Sequence, residues 1–131
     1  AKFGDTHARV GIMPGWGLTV LLPQAIGVRR AREMSFTGNF MDAEEALRCG
    51  LVNRVVAHED LLPVTRSIAA DIVGTDQSGV RQIRATYAEI HGNSEGLAIE
   101  HRHSVDWQRQ RFDPAAVAAR RAAIQARGKS Q

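Results

Sequence analysis

Hydrophobic residues recur every three or four positions along much of the chain. The spacing is clearest in residues 16–26 and 61–73, and it continues in residues 28–36, 80–90 and 95–111. Apolar side chains at these intervals fall on one face of an α-helix, so the pattern predicts a series of amphipathic helices. Each apolar face must pack against another element of the fold.

The ends of several elements are marked by residues that start or stop helices. Asp42 precedes a short helical segment, Glu45 follows it by three residues, and Gly50 lies just past the end, as in a capped helix. Pro23 predicts a kink or break near the end of the first amphipathic helix. Pro114 predicts the first turn of a final, alanine-rich helix.

Two stretches have the character of strands. Residues 1–4 have the pattern of a strand end, and residues 51–57 (LVNRVVA) are rich in β-branched side chains. Strands this few and short do not form a self-supporting sheet, so we expect further residues to complete it. The chain is therefore expected to be the second half of a larger domain, and to be neither stable nor active by itself.

The composition is that of a soluble globular protein. Hydrophobic residues make up 44% of the 131 positions and charged residues 24%, values that are ordinary for this class and exclude little by themselves. No apolar run is long enough to span a bilayer, and the first residues lack the pattern of a signal peptide, so a cytoplasmic location is expected. Cys49 is the only cysteine, which excludes an internal disulfide.

The net charge of +3 comes from basic residues near the C-terminus. They are Arg102, Arg109, Arg111, Arg120, Arg121, Arg127 and Lys129, against Asp106 and Asp113 in the same segment. An anionic ligand is therefore expected at this end. One alternative function is a non-catalytic helical module that binds an acidic partner or nucleic acid through this tail, although only Trp107 and Phe112 supply interleaved aromatic rings.

The order of motifs resembles the crotonase family, also called enoyl-CoA hydratase/isomerase, most strongly up to about residue 73. The motifs are Phe3-Gly4, the loop Gly11-Ile12-Met13-Pro14-Gly15-Trp16-Gly17, LPQAIG at 22–27, AEEA at 43–46 and GLVNRVV at 50–56. The resemblance implies an α/β fold, a crotonase-like spiral of ββα units. Residues 1–57 would hold the end of the spiral with its active-site loop, and residues 58–131 a C-terminal helical oligomerisation layer.

The resemblance also implies hydratase or isomerase chemistry on enoyl-CoA thioesters in fatty-acid oxidation. In that family two backbone N–H groups stabilise an enolate oxygen, and both are expected outside this chain. Hydratases add two glutamates for proton transfer. The second belongs to a segment FG-x-x-E, which reads here Phe3-Gly4-Asp5-Thr6-His7, so His7 stands in the place of a glutamate.

His7 has two interpretations. As a catalytic residue its imidazole gives or accepts a proton near neutral pH, or binds a polar acyl group. Alternatively it is a loop residue of a paralogue whose catalysis is different or lost, since a protonated imidazole has the opposite charge to a carboxylate. Asp5 is the nearest other carboxylate, and it lies on the same face as His7 if the segment is extended.

Further binding residues are expected on the glycine-rich loop and on the last helix. Met13, Pro14, Gly15 and Trp16 fall where the family passes its chain close to the acyl group, although Trp16 also suits core packing. At the C-terminal end, forked guanidinium groups suit the CoA phosphates. The residues expected there are Arg120, Arg121, Arg127 and Lys129.

The expected ligand and partners follow from the same resemblance. The ligand is an acyl-CoA or enoyl-CoA, with no cofactor beyond the CoA that the substrate carries, no metal, no nucleic acid and no membrane. The assembly is expected to be a homotrimer or a hexamer of paired trimers. Val117 and Ile124, seven residues apart, predict a narrow apolar seam for docking on another helix or subunit.

Overall fold

The computed structural model describes residues 1–130, which are mostly helical. In chain order the elements are β1 (Lys2–Phe3), α1 (His7–Val10), α2 (Leu18–Ile26), α3 (Val28–Thr37), β2 (Met41–Asp42), α4 (Ala43–Arg48), α5 (Leu61–Gly74), α6 (Gln77–His91), α7 (Ser94–Arg111) and α8 (Pro114–Ser130). They cluster into two compact units, one of residues 1–53 with the chain from residue 94 onward, and one of residues 54–93. The last two helices thus cluster with residues 1–53, and the predicted regions 1–57 and 58–131 stay a prediction.

The first unit opens with a two-stranded antiparallel ladder. Lys2 of β1 lies opposite Asp42 of β2, and Phe3 lies opposite Met41. The strand prediction for residues 1–4 is therefore confirmed, with β2 as its partner. Helix α4 packs against both strands. Its N-terminus is capped as predicted, since the Asp42 carboxylate accepts a hydrogen bond of 2.8 Å from the backbone N–H of Glu45.

A small apolar core joins these elements. Helix α2 packs against α3 and α7, while α1 packs against α3 and α8. The buried side chains are Leu22, Ile26, Ala31, Met34, Met41 and Ala46. Each large side chain buried in this way contributes about 1.5–3 kcal/mol relative to exposure. The C-terminal helices α7 and α8 therefore lie against the segment that carries the predicted active-site loop.

Two local predictions are wrong. Residues 51–57 form no strand in the described part of the chain, and Val55 is 43% exposed. A strand needs a backbone partner, and in the described residues the sheet contains only β1 and β2. Nor are residues 5–7 extended, because Thr6 adopts φ −100° and ψ 5° and helix α1 begins at His7.

The second unit contains α5 and α6, preceded by a 3₁₀ turn at His58–Asp60. Within the described residues neither helix buries a side chain. Leu62, Ile72, Tyr87 and Ile90 are each at least half exposed in this unit. The predicted apolar faces are thus present, and the expectation that they bury stays a prediction. Across residues 1–130 no helix combines the length and apolarity that crossing a bilayer requires.

Candidate active site

The loop between α1 and α2 approaches helix α7 closely. A Cβ added at Gly15 would lie 2.6 Å from Oγ of Ser104, so this approach requires a residue without a side chain. Gly17 adopts φ 97°, a left-handed conformation that glycine reaches without strain, and it is the N-cap residue directly before α2. The two glycines therefore let the loop turn into α2 while lying against α7.

One face of α7 holds this loop through hydrogen bonds. Glu100, Ser104 and Trp107 are spaced four and three residues apart, which places them on the same side of the helix. The Ser104 hydroxyl donates to the carbonyl of Met13 at 3.2 Å, and the Trp107 indole N–H donates to the carbonyl of Gly11 at 2.9 Å. The loop backbone is therefore fixed by side chains more than 90 residues away in sequence.

Glu100 caps the N-terminus of α2. It is only 5% exposed, and its carboxylate accepts hydrogen bonds of 2.6 Å from the backbone N–H groups of Gly17 and Thr19 and a further one from the Thr19 hydroxyl. Helix α2 has no capping side chain of its own. Burial by itself would raise the pKa of Glu100, but the bonds from Thr19, Gly17 and Leu18 together hold that pKa below its ordinary value.

Asp5 and His7 form a close pair at the start of α1. The Asp5 carboxylate is 4% exposed, and its Oδ1 lies 2.7 Å from Nδ1 of His7. The same oxygen accepts a bond of 3.1 Å from the backbone N–H of His7. The His7 side chain is 35% exposed, so one member of the pair is buried and the other is accessible to a ligand.

His7 borders an apolar cavity of about 430 Å³. Its lining is provided by the loop, one face of α2 and the segment after α4, and consists of His7, Pro14, Gly15, Trp16, Leu18, Leu21, Leu22, Ala25 and Leu51. A concave apolar surface with one convergent ionisable side chain is the usual form of a small-molecule site. This cavity is therefore the candidate active site.

Two further cavities meet the first at His7 and Trp16. One, of about 280 Å³, has a polar side formed by His101, Ser104 and Gln108 of α7. The other, of about 420 Å³, lies against α8 and includes Arg121. His7 can therefore be reached from an apolar side, a polar side and a side that carries a cation.

The predicted loop residues come together at this site. Pro14, Gly15 and Trp16 line the apolar cavity, and Met13 lines the polar one. Trp16 is 96% exposed, so the core-packing interpretation of this residue is wrong. The exposed Trp16 ring borders all three cavities, and its contact with an acyl group stays a prediction.

The four basic residues predicted for the CoA phosphates do not form one cluster. Arg121 lines the α8 cavity with His7. The Arg120 guanidinium occupies the space where a side chain at Gly11 would project, and Arg127 donates to the Asn39 side chain. Lys129 lies in the last turn of α8.

The predicted apolar seam of α8 lies beside the active-site loop. Val117 and Ile124 line the α8 cavity together with Val10 of α1 and Ile12 of the loop. Docking of this seam on another subunit stays a prediction.

The hydrophobic pattern of residues 95–111 did not indicate the anchoring residues of α7, which are Glu100, Ser104 and Trp107. The sequence signal for these three residues was their spacing of four and three, which places three hydrogen-bonding side chains on one face of a helix with a weak apolar pattern. Among the described residues no group of three or more His, Cys, Asp or Glu side chains is placed to hold a metal ion.

Comparison with known proteins defines the class to which this site belongs. Residues 1–110 match the family model described as enoyl-CoA hydratase/isomerase. The chain belongs to the enoyl-CoA hydratase/isomerase family, and the predicted family and crotonase fold are confirmed.

Individual relatives agree with that assignment. A crotonyl-CoA hydratase of Syntrophomonas wolfei is 42% identical over 89 residues, which cover 68% of this chain and 34% of that protein. The crystal structure of an enoyl-CoA hydratase from Mycobacterium smegmatis is similar with a TM-score of 0.79 and 50% identity, over 83% of this chain and 51% of that one. The enoyl-CoA hydratase structure from Mycobacterium tuberculosis has a TM-score of 0.78 and 48% identity, over 82% and 50%. The chain thus spans about half or less of the length of these relatives.

Proposed function

We propose that the full-length protein binds an enoyl-CoA thioester and hydrates or isomerises its conjugated double bond, with His7 transferring the proton. The observation that carries this proposal is the position of His7 beside the apolar cavity of about 430 Å³. Family membership supports it, because the relatives named above are enoyl-CoA hydratases.

The chemistry requires a proton acceptor and a stabilised enolate. In hydration the water oxygen bonds to the β-carbon, one water proton passes to His7, and the electron pair of the double bond moves onto the thioester oxygen. The protonated His7 then gives that proton to the α-carbon as the enolate collapses, so that OH is added to the β-carbon and H to the α-carbon, and His7 ends neutral. The N–H groups that would stabilise the enolate are those expected outside residues 1–131. CoA enters only as part of the substrate, and no other cofactor is proposed.

The first experiment measures hydration of crotonyl-CoA by the full-length protein, followed by loss of absorbance of the conjugated thioester. We expect turnover by the wild type and a loss on the order of 10²- to 10⁴-fold in His7→Ala. His103→Ala is the matched control, because His103 is exposed on α7, and it should retain wild-type turnover.

Two results would contradict the proposal. Unchanged turnover in His7→Ala would remove His7 from the reaction. An inactive wild type with activity gained in His7→Glu would mean that the fold is competent and that the protein carries out a different acyl-CoA reaction, or binding alone, as a divergent paralogue.

We also propose that the CoA phosphates lie near α8, with Arg121 as their main contact. Arg121 is the one of the four predicted basic residues that shares a described cavity with His7. Arg121→Gln should raise KM for crotonyl-CoA and leave KM for crotonyl-pantetheine, which lacks the nucleotide, unchanged. Equal effects on both thioesters would assign Arg121 to the acyl group. Arg102→Gln on α7 is the control.

The rival function, a basic helical module for polyanions, has less support from the same residues. Arg111 lies over the Trp107 ring at 5.2 Å from its centre, and Arg120 and Arg127 lie against their own chain. It predicts salt-sensitive binding of nucleic acid without discrimination for CoA. The trimeric or hexameric assembly and the cytoplasmic location remain proposals, and the first is tested by the mass of the protein in solution.

A further inference from the structure

Asp5 contacts His7 at two points, the backbone N–H and the imidazole ring. Replacing a glutamate with a histidine does not by itself require such a neighbour. Asp5 Oδ1 accepts both the His7 backbone N–H at 3.1 Å and the Nδ1 side of the His7 ring at 2.7 Å. The first bond is an Asx turn, in which an aspartate side chain binds the N–H two residues on. One buried oxygen thus fixes both the backbone and the ring of His7.

We infer that Asp5 is a positioning residue for His7 and that the two act as a dyad, an inference that rests on the proposed function only for its catalytic consequence. A carboxylate accepts hydrogen bonds and cannot donate them, so the ring proton of His7 is placed on Nδ1. The lone pair is then on Nε2, on the side of the ring away from Asp5. Nε2 is the atom that takes the proton from water or from a substrate carbon and later returns it.

A protonated imidazole alone carries a positive charge, whereas the glutamate of a hydratase carries none or a negative one. The Asp5 carboxylate offsets this difference. With Asp5 ionised, the pair carries a net charge of about −1 when His7 is neutral and about 0 when His7 holds a proton. A single carboxylate base passes through the same two charges. The developing enolate therefore faces a site whose net charge rises from about −1 to about 0 on protonation, as it would with a glutamate. The atom that accepts the proton is an imidazole nitrogen in place of a carboxylate oxygen.

Burial explains why the Asp5 contact persists. Asp5 is 4% exposed, whereas an exposed pair would be screened by water and would exchange its partner freely. The short connection between the residues, with Thr6 at φ −100° and ψ 5°, brings the two side chains together without long-range contacts. A His held in one tautomer by a carboxylate is an established way to prepare an imidazole for proton transfer.

The test observes the His7 ring itself. Two-bond ¹H–¹⁵N spectra of the full-length protein, labelled with ¹⁵N-histidine and recorded where the ring is neutral, report which nitrogen carries the proton. The His7 signals are assigned by their loss in His7→Gln. We expect the Nδ1–H tautomer in the wild type and in the control Asp42→Asn, and loss of that single tautomer in Asp5→Ala, which removes the accepting oxygen. A wild-type ring protonated at Nε2, or an unchanged ring in Asp5→Ala, would overturn the inference.

Kinetics supply a second measurement. Asp5→Ala should lower kcat on the order of 10²-fold or more with little change in KM, since the ring loses its orienting acceptor while the cavity is intact. Asp5→Glu should recover part of the loss. A rise in KM with kcat unchanged would assign Asp5 to substrate binding and refute the positioning role. If the wild type hydrates no enoyl-CoA, the proposed function fails, but the tautomer spectra still decide whether Asp5 orients His7.

Discussion

Replacing the buried carboxylate of Glu100 with an amide tests whether α7 caps α2 from a distance. The carboxylate accepts from two backbone N–H groups at 2.6 Å, those of Gly17 and Thr19. Glutamine keeps one acceptor oxygen, but its NH₂ group would face the other N–H donor. A hydrogen bond to a charged group contributes about 1.5–3 kcal/mol, and a buried unsatisfied donor costs about 1–3 kcal/mol. We therefore expect Glu100→Gln to lower the free energy of unfolding by about 2–4 kcal/mol.

The assay is urea unfolding of the full-length protein, followed by circular dichroism. Glu95→Gln is the matched control, because Glu95 is an exposed residue in the first turn of the same helix, and it should change stability by less than about 0.5 kcal/mol. Equal stability of the Glu100 and Glu95 variants would refute the capping role.

The pH dependence provides an independent check on the charge of Glu100. Its folded pKa lies below the ordinary value of 4.5, so the carboxylate contributes stability above that pH and loses it as pH falls through the folded pKa. The stability gap between the wild type and Glu100→Gln should be constant near neutral pH and narrow below pH 4.5. A gap that does not narrow in acid would show that the ionised form is not what stabilises α2.

Three other substitutions test single contacts. Trp16→Ala should leave the unfolding temperature unchanged, because Trp16 is 96% exposed, and should weaken crotonyl-CoA binding measured by calorimetry; unchanged binding would exclude Trp16 from the site. Trp107→Phe removes the bond to the Gly11 carbonyl and should cost about 1–2 kcal/mol in urea unfolding, with a smaller loss arguing that the loop is held by other contacts. Asp42→Ala removes the cap at Glu45 and should cost about 1 kcal/mol, whereas Asp42→Asn should restore most of it; equal stability of the two variants would dismiss the cap.

Several features could be predicted from residues close together in sequence. The helix at Ala43–Arg48 follows from Asp42 and Glu45, which bond to each other across three positions. The boundary between α2 and α3 at Gly27 was likewise marked by a glycine, which adopts φ 79°. The order of short motifs that contain glycine and proline was sufficient to indicate the family. Such signals are local because a cap or turn is stabilised by backbone groups within a few residues.

The arrangement of the site depended on contacts that no local pattern contains. Residues 51–57 had strand composition, but a strand forms only where another strand offers its hydrogen-bonding groups. Glu100 and Gly17 are 83 residues apart, and their bond exists because α2 and α7 pack together. The Asp5–His7 pair lies between these cases: its residues are neighbours, yet their contact required a turn at Thr6 in place of the expected extension. The sequence alone thus determined the family and the local caps and turns, while tertiary packing decided which side chains hold the loop, because packing brings distant donors and buried acceptors within hydrogen-bond distance.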